Sequence, residues 1–246
     1  MKKAIIKINH LAIIPDGNRR WAKRKGIFSE EAVYQKGTER IEEVMEAVIM
    51  HEVKFFTLWA SSLANLKERS GKFREVMNFF YVRKFKDLIK SKVIREQEVK
   101  IKVIGEWEEN LNKDAVMAIR DVIQETAKNE KRFFTILVGY DGKRERGAAV
   151  AKIIGDVAGG FLKSSQSIED AEIELRKRSW TEMLPTVDLL IRTGSWEDPH
   201  LSADFLTFLI GESQLAFPRV FWPDFSKEEL NKILMAYDKR ERRFGK

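Results

Sequence analysis

The stretch "HLAIIPDGNRRWAKRKG", His10–Gly26, joins an apolar run to a basic, tryptophan-bearing segment through Pro15-Asp16-Gly17-Asn18. Four apolar residues in a row, Leu11–Ile14, bounded by turn-forming residues, read as a strand buried on both faces. Gly17 and Asn18 supply the turn, and the segment behind them opens a helix. Asp16 is the odd residue, a lone carboxylate set where an apolar strand ends and a run of arginines and lysines begins.

The same strand-then-helix grammar repeats along the chain. Short apolar runs recur at Phe55–Ala60, Val99–Gly105, Phe133–Tyr140 and Val187–Gly194, and segments of helical period lie between them. Two of those segments are long, at about Glu30–His51 and Lys67–Glu98. This alternation predicts an α/β fold with a mostly parallel central sheet flanked by helices. No low-complexity stretch, repeat or Ser/Gly linker interrupts it, so residues 1–246 read as a single domain. In such sheets ligands bind beyond the carboxyl ends of the strands. The polar clusters fall there: Asp16-Gly17-Asn18 after the first strand, Ser61-Ser62 and Asn65 after the second, Tyr140 to Arg144 after the fourth and Arg192-Thr193-Gly194-Ser195 after the fifth.

Composition narrows the ligand class. Lysine and arginine number 45 against 38 acids, a net charge of +7, which favours anionic partners. With no cysteine, disulfides and thiolate metal sites are excluded. The amino terminus "MKKAIIKINHLAIIPDG" starts like a signal peptide, but Lys7, Asn9 and His10 break its apolar run. No stretch approaches the ~18 apolar residues of a spanning helix. The expectation is a cytoplasmic protein with at most a peripheral membrane contact. Rival motifs are missing: no G-x-x-x-x-G-K-[ST] loop, no G-x-G-x-x-G after the first strand, no ligand spacing among the three histidines and no recognisable nucleic-acid module.

A diphosphate fits the inventory at the strand ends. Arg19 or Arg20, Arg144 and Arg192 offer planar forks to phosphate oxygens, and a helix starting near Asn18 offers free N–H groups and its positive end. Asp16 would repel that anion unless a divalent cation bridged them, and Mg²⁺ is held by one or two carboxylates plus substrate phosphates. Each local pattern also has an ordinary reading: Asp-Gly-Asn as a turn and cap, Arg192 as a surface ion pair, Gly142 as part of a turn.

Taken together, the blocks resemble the cis-prenyltransferases, the undecaprenyl diphosphate synthase or Z-isoprenyl diphosphate synthase family. "HLAIIPDGNRRWAKRKG", "FFTLWASSLAN", "VDLLIRTG", "VFWPDF" and "RERRFG" stand in family order over essentially the whole chain. The resemblance implies a sheet and two long helices enclosing an apolar tunnel. It also implies a homodimer that uses Mg²⁺ to condense isopentenyl diphosphate with an allylic prenyl diphosphate. By the same resemblance Asp16 is the catalytic, metal-associated aspartate; Gly17, Asn18, Arg19, Arg20 and Trp21 form the allylic diphosphate cradle and its surroundings; and Ser62 and Asn65 lie near the reacting centre. Arg192 holds isopentenyl diphosphate, Ser202 keeps a family serine, and Arg243 belongs to an Arg-x-Gly tail that reaches the neighbouring subunit. The chain also departs from the family. "TGSWEDPHLSADF" is about three residues longer than its counterpart, with His200 near an expected arginine, and the second metal-associated glutamate falls on Gln214. Those departures leave open a diverged member, either a non-elongating prenyltransferase or a noncatalytic partner subunit.

Overall fold

The computed structural model describes residues 7–163 and 167–239. In chain order its elements are β1 (His10–Ile14), α1 (Asn18–Lys25), α2 (Glu30–Met50), β2 (Phe55–Ser62), α3 (Leu63–Glu68), α4 (Gly71–Lys90), α5 (Lys92–Glu96) and β3 (Val99–Ile104). There follow α6 (Trp107–Asn110), α7 (Lys113–Glu125), β4 (Arg132–Tyr140), α8 (Gly142–Ala158), α9 (Ile168–Lys177), β5 (Leu189–Arg192), β6 (Gln214–Ala216) and α10 (Lys227–Asp238). The strands form one six-stranded sheet in the order β3-β4-β2-β1-β5-β6, parallel throughout.

Burial explains the unbroken apolar runs. Successive residues of a strand point to opposite faces, so a strand covered on both sides must be apolar at every position. Leu11 and Ile13 of β1 join the cluster under α2, α4, α7 and α10, whereas Ala12 and Ile14 join one under the segments around Trp180–Val187 and Leu201–Ile210. Neighbouring strands lock through stacked ring pairs at matched register: Phe55 on Phe133 at 4.7 Å and Phe56 on Phe134 at 5.0 Å.

The predicted α/β architecture holds, with three local differences. The long segment Lys67–Glu98 is three helices, because Ser70 and Ser91 each turn a hydroxyl onto the N–H three residues on and start a new helix. The apolar run at Val187–Gly194 gives only four strand residues, and the Asp188 carboxylate just before them accepts from the N–H groups of Asn9 and His10. The sixth strand, Gln214–Ala216, went unpredicted: three half-exposed residues carry no periodicity to read.

One topological feature places the site. The chain leaves β1 toward β2 on one side, and β5 returns on the other side of β1. The crevice beyond the carboxyl ends of β1 and β5 is therefore the switch point at which open parallel sheets take ligands.

Candidate active site at the switch point

Asp16 and Arg192 meet in that crevice. Ile14 pairs with Arg192 across β1 and β5, and two residues later Asp16 Oδ2 accepts from Arg192 Nη2 at 2.9 Å. Asp16 Oδ1 lies 3.3 Å from Arg20 Nη2 and accepts from the N–H of Gly17 at 2.5 Å. Thr193 clamps the turn from both sides, its hydroxyl accepting from Asp16 N–H at 3.0 Å and donating to Asp16 O at 2.8 Å. The Asp16 side chain is still 34% exposed, so its carboxylate reaches solvent while its backbone is fixed.

Two glycines make this close approach possible. Gly17 has φ +101°, and a Cβ there would sit 2.4 Å from the Phe221 ring; Gly194 has φ +70°, and a Cβ would sit 2.8 Å from Asp16 O. A side chain at either would be strained in conformation and blocked in space. Gly17 precedes α1, whose first turn carries no acid and no side-chain cap. Its first N–H groups and positive end stay available to an anion.

Arg192 is buried and only partly satisfied. Nη1 donates to His200 O at 2.9 Å and to Ser202 Oγ at 3.0 Å, which leaves two of its five N–H groups after the bond to Asp16. Its Nε is buried without a partner in the chain, as are Ser195 Oγ and Asn18 Oδ1. Buried polar atoms without partners are uncommon in folded proteins, and those of Arg192 and Ser195 beside the crevice mark a place where a polar ligand would complete the bonding. Ser195 stood in the cluster Arg192-Thr193-Gly194-Ser195, yet nothing in its residue type or position set it apart from its neighbours.

Two cavities open from this point. One, of about 540 Å³, is lined by Asp16, Arg20, Arg24, Ser195, Trp196 and Phe221 among others. Its wall is Phe221, with the Trp196 ring at 5.0 Å and the Arg24 guanidinium at 4.7 Å over its face. The other, of about 580 Å³, begins at Pro15 and Asn18 and lies between α2, α4 and the sheet. Near its mouth the Tyr34 hydroxyl accepts from Arg69 Nη1 at 2.9 Å, and Arg69 stacks over Phe73 at 4.5 Å. Burial pushes the Tyr34 hydroxyl above the usual phenol range, with Arg69 and Arg19 acting against it. Tyr34 therefore stays a neutral donor, and neither it nor Arg69 was among the residues the sequence singled out for the site.

Other expected residues take different positions. Trp21 packs into a small core with Ala22, Val33 and Phe221 and supports the turn from below. Ser62 Oγ accepts from Asn65 N–H at 3.1 Å and caps α3, beside a register irregularity in β2 at Trp59–Ser62. His200 is exposed and offers its backbone carbonyl to Arg192, while its ring Nδ1 turns to Asp198 O at 2.8 Å. Arg144 is spent on Glu106 at 2.7 Å. Gln214 pairs with Leu189 at the start of β5, the opposite end of the strand from Arg192, so one chain does not bring Gln214 to Asp16. The shared metal edge expected of that pair is corrected by the sheet register. Arg243 lies outside the described residues.

Mg²⁺ fits the donor set. Among the described residues no group of three or more His, Asp or Glu side chains could hold a metal. A solvent-reaching Asp16 flanked by Arg20 and Arg192 fits an ion that takes one carboxylate and completes its shell with phosphate oxygens and water. No helix among the described residues is long and apolar enough to cross a membrane.

Comparisons with known proteins converge on one family and one fold. A family model described as "Putative undecaprenyl diphosphate synthase" matches residues 14–245. The chain is 33% identical over 247 aligned positions to a tritrans,polycis-undecaprenyl-diphosphate synthase (geranylgeranyl-diphosphate specific) of Pyrococcus abyssi, covering 99% of this chain and 89% of the relative. A protein of the same description from Thermoplasma acidophilum is 30% identical, covering 96% and 88%. Among solved structures, lavandulyl diphosphate synthase from Lavandula x intermedia, in complex with dimethylallyl diphosphate, superposes with a TM-score of 0.88 at 26% identity over 97% of this chain and 98% of that one. A probable undecaprenyl diphosphate synthase from Campylobacter jejuni gives 0.73 at 20% identity, over 98% and 99%, and shares the fold.

Proposed function

The chain belongs to the undecaprenyl diphosphate synthase family of cis-prenyltransferases, and from that premise we propose that it is a Mg²⁺-dependent transferase condensing isopentenyl diphosphate with an allylic prenyl diphosphate into a Z polyprenyl diphosphate. The observation that carries this reading is Asp16, held between Arg192 and Arg20 at the switch point with an anion-ready helix start on one side and an apolar-floored cavity on the other.

Asp16 would hold the Mg²⁺, whose charge offsets the negative charge that builds on the departing diphosphate. The N–H groups opening α1, with Arg19, Arg20 and Arg69, would cradle the allylic diphosphate, its hydrocarbon directed past Asn18 into the cavity. Arg192, steadied by His200 O and Ser202 Oγ, would hold isopentenyl diphosphate with its two remaining N–H groups and keep its alkene facing the allylic carbon. Arg192 and Asp16 being bonded to each other fixes the two substrates' binding groups relative to one another, which converts an encounter into a set geometry. The Tyr34 hydroxyl, held by Arg69, would offer a donor at the cavity mouth, and Asn65 would be the polar group near the reaction that the resemblance implies. The apolar walls from Leu58, Ala60, Phe134 and Ile136 would stabilise a growing chain by ~0.8 kcal/mol per buried CH₂.

The partner is a second copy of the chain, whose Arg243 would reach the neighbouring site. Contact with a membrane would come through the lipid product. Purified protein incubated with radiolabelled isopentenyl diphosphate, Mg²⁺ and geranyl, farnesyl or geranylgeranyl diphosphate should give a Mg²⁺-dependent ladder of added isoprene units. Geranylgeranyl diphosphate is the first primer to try, because several relatives are named as specific for it.

The lengthened loop Gly194–Asp204 favours a second reading, a prenyltransferase that transfers once without elongating. A single product of fixed length in place of the ladder would select that reading, and no product at all would select a noncatalytic partner subunit.

A further inference from the structure

The cavity between α2 and α4 is apolar on one side and charged on the other. Leu58, Ala60, Phe134 and Ile136 from the sheet form its floor, and Phe80 and Met45 its inner flanks. Its solvent side is different: Glu39, Glu42 and Glu46 follow one another at three- and four-residue spacing along α2, facing Arg83, Lys84 and Asp87 on α4. Two side-chain bonds join the helices across this opening. Lys84 Nζ donates to Glu42 Oε1 at 2.8 Å, and Arg83 Nη1 donates to Gln35 Oε1 at 3.3 Å. Lys84 lies 4.0 Å from Asp87 as well.

Lys84 is unusual for a surface lysine. Its side chain is 20% exposed, while Glu42 is 56% exposed, so the lysine stem lies over the slot with only its charged head at the rim. On its solvent side the cavity is thus bridged by an ion pair between the two helices and flanked by further charged side chains. Such a pair is a selective barrier. An apolar chain leaving the slot here must part the two helices and lie along charged side chains, whereas the half-exposed pair itself is separable by salt or by removing one charge.

We propose that the Glu42–Lys84 pair is a latch on the solvent side of the product cavity and that it sets the length at which chain growth stops. The inference rests on the chain-elongating function proposed above. A growing isoprenoid fills the floor first, and each later unit must either stay within the slot or part α2 from α4. With the latch closed, growth stops when the slot is full. With it open, the hydrocarbon passes between the helices and further units are added. Glu42 and Lys84 are specificity-determining residues in this account and touch no reacting atom.

The test is the product ladder from radiolabelled isopentenyl diphosphate, Mg²⁺ and the primer the wild-type chain accepts, compared at matched total incorporation. Glu42→Gln and Lys84→Met should each lengthen the dominant product by at least one isoprene unit. The charge-exchanged double variant, Glu42→Lys with Lys84→Glu, should return it to the wild-type length, which a role in packing alone would not do. Raised ionic strength should lengthen the wild-type product and leave the single variants' products unmoved. A wild-type ladder that neither single variant shifts would overturn the latch alone, as would a double variant that fails to restore length while folding normally. A wild-type chain that makes no elongated product would overturn the functional reading and the latch with it.

Discussion

Asp16 serves two masters, and the difference between them is measurable. Its carboxylate is expected to hold Mg²⁺, but it is also the partner of the buried Arg192 guanidinium. Asp16→Ala would leave that cation without its carboxylate, at a cost of about 1–3 kcal/mol, so its loss of activity would mix two causes. Asp16→Asn keeps an oxygen for Arg192 and removes only the charge. We expect it to lower kcat by roughly a hundredfold or more, in line with losing a preorganised electrostatic group, while thermal unfolding shifts little; an Asn variant with unchanged kcat would sink the metal role. A second residue responds to acid. His10 is buried, with Nδ1 donating to Pro185 O and Nε2 accepting from the Thr57 hydroxyl, and burial lowers its pKa to about 4. Above pH 6.5 the ring is neutral folded or unfolded and contributes nothing to the pH slope. Between 6.5 and 4 the unfolded chain binds a proton that the folded chain refuses, so stability falls with pH by up to about 3 kcal/mol. Urea titrations across that window should show the slope in the wild type and a shallower one in His10→Gln; equal slopes would remove His10 from the account.

Caps decide where the helices begin, and the same residues complicate the site. Serines at 29, 62, 70, 91, 167 and 226 each take an N–H in the first turn of the following helix. Ser62 is the informative case, because resemblance assigned it to the substrate and the structure shows it capping α3 and fixing Asn65. Ser62→Ala should cost about 1 kcal/mol of stability, and Ser62→Asn should recover most of it. If activity tracks that recovery, Ser62 acts by holding Asn65; if Asn restores the fold and not the activity, the hydroxyl itself meets the substrate. The elements legible in advance were those whose pattern is local: four-residue apolar runs with turn residues behind them, and long stretches of helical period. What stayed hidden depends on partners far along the chain. β6 exists because its Gln214 N–H bonds to Asp188 O, and the Arg192 fork is aimed by the His200 carbonyl and the Ser202 hydroxyl from a loop of unpatterned sequence. Tyr34 and Arg69 meet across 35 residues, which no local window could reveal.

At the scale of the whole molecule, α8 carries a face that one chain leaves uncovered. Val150, Ile154 and Val157 recur at helical spacing, and Phe161 follows beyond the helix; Ile154 is 64% exposed and Phe161 87%. An apolar stripe of this kind on an otherwise charged chain is the sort of surface a second copy covers. If the pair of chains also shares its sites, with Arg243 of one completing Asp16 of the other, then two different inactive chains should repair each other. Asp16→Asn supplies an intact tail and Arg243→Ala an intact carboxylate. Mixed after co-expression, random pairing makes half of the dimers hybrid, each with one complete site, so about a quarter of wild-type activity should return. Adding Ile154→Asp to both chains should turn the dimer to monomer on light scattering and abolish the repair, because a charge in the middle of an apolar interface is buried without a partner. Recovery of activity without dimers would refute the shared site. Dimers without recovery would keep the interface and confine each chain's chemistry to its own Asp16, Arg20 and Arg192.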